Sequence, residues 1–180
     1  MALLLLPSAC RRAEPERAPQ ATAAVQDTGF RGTTVPLHRQ PRAPGKQELL
    51  RAVRADSQPG FDRVVFEFAD DSLPGYDVEH ATGPVVRCGS GDPVTVAASG
   101  RLVVRFEPAR AHDQVGGPNP TIVPRAMAAN LPAVRDLQIV CDFEGQVEVV
   151  LGVPAGAPYR VLELTAPARL ILDVRHGPAP

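Results

Sequence analysis

The chain runs to 180 residues with a net charge of −1, which leaves room for one domain and a tail. That balance excludes a nucleic-acid surface, which needs concentrated positive charge. Tryptophan is absent and aromatic residues make up 4% of the chain, too few rings for a sugar-stacking or base-stacking platform.

The first ten residues read MALLLLPSAC. An apolar run that ends in small residues before a cysteine resembles the signal of a bacterial lipoprotein, in which the chain is cut before the cysteine and Cys10 then carries the lipid. Pro7 stands where leucine is usual, and the apolar run is short with no preceding Lys or Arg, so the expected translation start lies upstream. Residues 11–45 are rich in Pro, Ala and Arg and show no sustained period. Such a stretch buries too little apolar surface to offset its ordering entropy, so a disordered linker is expected. As a flexible coil it spans about 30–35 Å.

From Gln47 the pattern changes to short alternating runs. A first strand is expected over Leu49 to Arg54, with either Leu50 and Ala52 or Leu49 and Val53 facing inward. Gly60 then turns into Phe61-Asp62-Arg63-Val64-Val65-Phe66-Glu67-Phe68, where Val64, Phe66 and Phe68 share the core face. Short strands are expected at Tyr76 to Glu79, Pro84 to Cys88 and Val94 to Ala97, and Ser99-Gly100 leads into Arg101 to Phe106. Glu107 to Asn119 and Thr121 to Pro132 read as loops, the second with at most a helical turn near Ala126 to Asn130. Leu137 to Phe143 is expected to bury Ile139, Cys141 and Phe143. Gln146 to Val153 buries Val147, Val149 and Leu151, and Tyr159 to Leu164 with Arg169 to Val174 form a closing hairpin. About nine short strands with frequent turns and no helical period predict an all-β fold. The expected architecture is a single β-sandwich of mostly antiparallel strands over residues 46–176, with 177–180 as a tail.

GFDRVVFEF, PGY, GSG, DFEG and YRVLELTAPARLILDVRH, in this order, resemble the AMIN-like domain. Such domains occur in actinobacterial envelope lipoproteins and are similar to the AMIN module of peptidoglycan amidases. The resemblance implies a β-sandwich, an extracytoplasmic place on the outer face of the membrane, and a binding or targeting role toward a cell-wall polymer or an envelope protein. It brings no catalytic residues with it. An accessory subunit that docks an envelope enzyme is the alternative reading, with a small hydrolase of unrecognised type behind it.

The residues themselves offer few sites. Cys88 and Cys141 form either a disulfide, worth ~4 kcal/mol through loop-closure entropy in an oxidising envelope, or two buried thiols acting as small hydrophobes. His38, His80, His112 and His176 are scattered, without metal-ligand spacing or a carboxylate placed to orient one, so no metal or other cofactor is expected. Ser90 lies directly between glycines, unlike a nucleophile elbow, and the acids Asp62, Glu67, Asp70, Asp71, Asp142 and Glu144 mark no cleft. The outward positions Arg63, Arg101 and Arg105 either line one sheet face that meets anionic wall polymer through forked hydrogen bonds, or are a solvated face balanced by Glu67 and Glu107.

Overall fold

The computed structural model describes residues 29–113 and 123–177. Its described residues form eleven strands and no helix: β1 (Leu37–Arg39), β2 (Glu48–Gln58), β3 (Phe61–Phe68), β4 (Gly75–His80), β5 (Gly100–Glu107), β6 (Ala109–Arg110), β7 (Ala126–Ala128), β8 (Asp136–Phe143), β9 (Gln146–Val153), β10 (Tyr159–Leu164) and β11 (Arg169–Arg175). They pair into a six-stranded sheet, β1-β4-β5-β9-β8-β7, and a five-stranded sheet, β10-β11-β3-β2-β6. All pairings are antiparallel except β2 with β6.

The alternation in β3 decides the core. Val64, Phe66 and Phe68 are fully buried, and facing them from the other sheet are Leu102, Val104 and Phe106 of β5 with Val147, Val149 and Leu151 of β9. The Phe106 ring meets Phe66 and Phe68 edge-on at 5.1 and 5.2 Å, the arrangement that ring quadrupoles favour.

Period-2 reasoning fails at two β-bulges. In β2 the register shifts between Leu50 and Ala52, so Leu50, Val53 and Ala55 face the core and neither simple alternation holds. In β8 the shift between Ile139 and Cys141 keeps Ile139 inward, sets Cys141 opposite Glu148 on the outer face, and leaves Phe143 at 62% exposure. An inserted residue reverses every facing beyond it.

Three further expectations are corrected. Residues 84–88 and 94–97 form no strands. They belong to the long connection 81–99, whose own ladder pairing among the described residues is a single bridge between Val86 and Pro93, and which lays Val85, Val94 and Val96 over Val103, Val140 and Val150 on the outer face of the six-stranded sheet. Pro84 and Pro93 have no N–H for a ladder. Residues 126–128 make edge strand β7 against β8, with no helical turn. The described part of the stretch expected as linker, from Gly29 onward, is strapped to the sandwich. β1 pairs with β4, and Thr33 and Tyr159 exchange backbone bonds of 2.8 and 2.9 Å. Order here comes from borrowed backbone partners, which leave no hydrophobic period in the sequence. The lipoprotein-type signal and Cys10 lie outside the described residues.

Candidate functional site

The two outer faces of the sandwich differ. Over the six-stranded sheet, Cys88 in the 81–99 connection and Cys141 in β8 have their sulfurs in bonding contact, with Cα atoms 5.2 Å apart. Cys88 N–H donates to the Val140 carbonyl at 3.1 Å, and Gln138 donates to Thr95. This face is therefore largely roofed. Arg105 lies beside the roof's edge, bound through Nε and Nη2 to Glu148 at 3.1 and 3.0 Å. Arg101 is on the same face with its Nε buried and unbonded among the described residues.

The outer face of the five-stranded sheet is different in kind. Cross-strand register sets Asp56, Arg63, Asp173 and Arg160 side by side on four successive strands, an alternating ladder of charge. Asp173 is fully buried and bridges both arginines, taking Nε and Nη2 of Arg63 at 2.7 and 2.9 Å and Nε of Arg160 at 2.8 Å. A second cluster gathers Arg51, Arg54 and Arg169 around Glu67. The Arg54 guanidinium, helped by Arg51 and Arg169, holds the Glu67 carboxyl below its ordinary range although burial opposes this. Counting β2, β3, β10 and β11, six arginines (51, 54, 63, 160, 169 and 175) share this face with three carboxylates (56, 67 and 173).

Aromatic rings stiffen one end of the face. Phe30, from the strap, lies 5.6 Å from Phe61. Arg160 stacks over both rings at 4.9 and 5.0 Å, Arg63 over Phe61 at 5.3 Å, and Arg175 over Phe30 at 5.1 Å. The guanidinium planes are thus held by ring contacts as well as by Asp173. Sequence reasoning missed this cluster because Phe30 stands in the stretch read as linker. The signal available was a lone aromatic in a polar segment.

Arg63, Arg101 and Arg105 do not share a face. Arg63 points out of the five-stranded sheet, and Arg101 and Arg105 point out of the six-stranded one, on the far side of the sandwich. Alternation tells outward from inward but does not tell which sheet a strand joins.

The histidines also depart from expectation. Carboxylates orient three of the four: Asp77 is 2.5 Å from His38, Asp142 is 2.9 Å from His112 and Asp62 is 2.7 Å from His176. His80 lies 3.0 Å from the Ala157 carbonyl. The partners of His38 and His176 are 39 and 114 residues away in the chain, so spacing alone carries no sign of them. Among the described residues, no group of three His, Cys, Asp or Glu is placed to hold a metal ion.

At the seam between the sheets, Glu163 of β10 accepts from Tyr76 at 2.6 Å and from Arg42 of the strap. Burial works to raise the Glu163 carboxyl, and the bonds from Tyr76 and Arg42 outweigh it, so its pKa falls below the ordinary value. Burial and the same carboxylate push the Tyr76 phenol up. The group is a clasp that fixes the strap.

The AMIN-like domain model matches residues 48–176, well over half of the chain. No curated protein matches it.

Proposed function

The chain belongs to the AMIN-like domain family, and from that membership we propose that it is a non-catalytic module of the cell envelope, tethered by lipid at Cys10 and holding an anionic wall polymer on the outer face of its five-stranded sheet. The family points to an extracytoplasmic location and to binding related to the cell wall. A Cys88–Cys141 bridge is in keeping with an oxidising compartment.

One observation carries the choice of surface. The five-stranded sheet presents six arginines against three carboxylates, while the 81–99 connection roofs the opposite face. Arg51, Arg54 and Arg175 are the exposed members, the first two about half exposed, and their guanidinium forks match carboxylate and phosphate groups. A rigid sheet with prepositioned donors binds at reduced ordering cost, which suits recognition of a repeating polymer.

Retention on purified cell wall tests this. Exposed charges are screened over ~10 Å at 0.1 M salt and ~3 Å at 1 M, so retention should fall steeply between these conditions. The double variant Arg51→Gln/Arg54→Gln should lower low-salt retention several-fold while the domain stays folded, since both glutamines can still donate to the buried Glu67 carboxylate and Arg169 remains beside it. Retention indifferent to both would remove the arginine face and favour docking of an envelope protein. The anchor has its own test: in the native host Cys10→Ser should move the protein from the membrane to the soluble fraction, because firm attachment requires more than one acyl chain. Native protein with an unmodified Met1 would end the lipid reading.

A further inference from the structure

We propose that the cleft at the end of the sandwich, beside the arginine face, is a receptor for an anionic oxygen group on a compact hydroxylated body, with Arg175 taking the anion and His176 a neighbouring hydroxyl. The inference rests on the wall-binding reading and names the part of the ligand received here.

The cleft measures about 730 Å³ and lies among Gly60, the turn from Pro154 to Pro158, and Arg175 to Gly177, within the ordinary range for small-ligand sites. Its walls are proline, alanine and glycine, so two side chains supply its charge chemistry. They arrive from opposite sides. Arg175, the last residue of β11, pairs with Phe61 on the outer face, while Val174 before it pairs with Asp62 toward the interior, and His176 returns to that inner side.

His176 is held in a chosen tautomer. Asp62 is fully buried and already accepts from Ser57 Oγ at 2.9 Å and from the backbone N–H groups of Ala133 and Val134 at 2.6 and 2.9 Å. A carboxylate with these donors can only accept, so the imidazole donates from Nε2 at 2.7 Å. The carboxylate is satisfied without the ring, so the bond chiefly orients the ring. It leaves Nδ1 as the nitrogen not spent on Asp62, an acceptor in the neutral ring, on a side chain 23% exposed.

Arg175 is fixed too. Its Nη2 donates to the Phe30 carbonyl at 2.9 Å and its guanidinium stacks on the Phe30 ring. Among the described residues no carboxylate pairs with it. A preset cation and a preset acceptor at one cleft select a ligand that offers an anion and a hydroxyl together. Acidic sugars and polyol phosphates share that chemistry.

The test is an NMR titration of the full-length, ¹⁵N-labelled chain with N-acetylmuramic acid, with N-acetylglucosamine as the same sugar without the lactyl ether that carries the carboxylate, and with glycerol phosphate. Saturable shifts at the amides of Gly156, Ala157 and Gly177 are expected with N-acetylmuramic acid or glycerol phosphate, and none with N-acetylglucosamine. Whichever anion binds identifies the source, wall glycan or phosphodiester polymer. Arg175→Gln should weaken binding about tenfold or more, the scale of a lost charge-assisted hydrogen bond. Gly177→Trp offers a second variant, because a Cβ there meets no atom within 4 Å and the ring can enter open cleft space. It should abolish the shifts while the spectrum stays dispersed. Absence of saturable shifts with both anions, or unchanged affinity in both variants, would overturn the proposal. If Gly177→Trp still binds whole cell wall in a salt-sensitive way, only the cleft fails and the arginine face stands. If Arg51→Gln/Arg54→Gln loses the wall while the titration persists, the cleft stands alone.

Discussion

Truncating Phe66 to alanine is expected to destabilise the domain by roughly 3–5 kcal/mol in urea unfolding, with the denaturant slope unchanged. Phe66 is fully buried at the centre of the five-stranded sheet, between Leu170 of β11 and Val53 of β2. Its removal forfeits the transfer free energy of a ring and the edge contact with Phe106 at 5.1 Å. The backbones on both sides are tied into ladders, so the cavity cannot collapse and its lining loses dispersion contacts as well. Val65→Ala is the internal control. Val65 is one position along the same strand, half-buried on the outer face, and its truncation should cost under about 1 kcal/mol. Equal losses at the two positions would mean that the facing of β3 is wrong.

That contrast also marks how far sequence reaches into this fold. Where a strand is regular, side-chain period fixes its facing. β3, β5 and β9 bury the residues their alternation points to, and the closing hairpin turns where Thr165 to Ala168 interrupt the apolar runs. Where one residue is inserted, the same rule misleads for every position downstream. Cys141 and Phe143 are the instances, sent to the outer face by the bulge after Ile139. Nothing in the composition of β8 marks the bulge, because it satisfies pairing with β9 and needs no glycine.

The candidate site was less legible than the fold for a related reason. Outwardness is a local property, whereas sharing a surface depends on which strands become neighbours. Arg63 has Arg160 beside it through Asp173, at 110 and 13 residues' separation, yet it stands across the sandwich from Arg101 and Arg105. The strap is the extreme case. Phe30, Thr33 and β1 have no period of their own and acquire structure from Phe61, Tyr159 and β4, so composition alone reads them as linker. Their contribution is nevertheless specific. The Tyr159 hydroxyl lies 2.7 Å from the Val35 carbonyl and 2.8 Å from that of Val78, so its one proton is shared between the strap and the six-stranded sheet. Burial pushes that phenol's pKa up, which keeps the proton in place.

Asp62 is the polar counterpart of Phe66, and Asp62→Ala is expected to cost about 3–5 kcal/mol. The carboxylate is fully buried where β3 begins, and each oxygen has two donors: Ser57 and His176 on one, the N–H groups of Ala133 and Val134 on the other. Ala133 and Val134 are themselves fully buried, in the turn that leads into β8. Removing the acceptor therefore orphans two backbone donors, each costing about 1–3 kcal/mol when left unbonded away from water. It also unties the turn from the opposite sheet. Ser57→Ala removes one donor from an acceptor that keeps three others, and should cost only about 1 kcal/mol. Asp62→Asn retains one carbonyl oxygen and belongs between these values. If its oxygen stays with the two backbone N–H groups, its amide must face Ser57 and His176. The imidazole can then answer only by presenting an unprotonated Nε2, with its proton moved to Nδ1. The side-chain nitrogen chemical shifts of His176 report that exchange directly. Loss of Nε2–H character in Asp62→Asn at modest cost in stability is the expected pair of results. A cost for Asp62→Ala below about 1 kcal/mol would show that water replaces the carboxylate freely and that the turn carries itself.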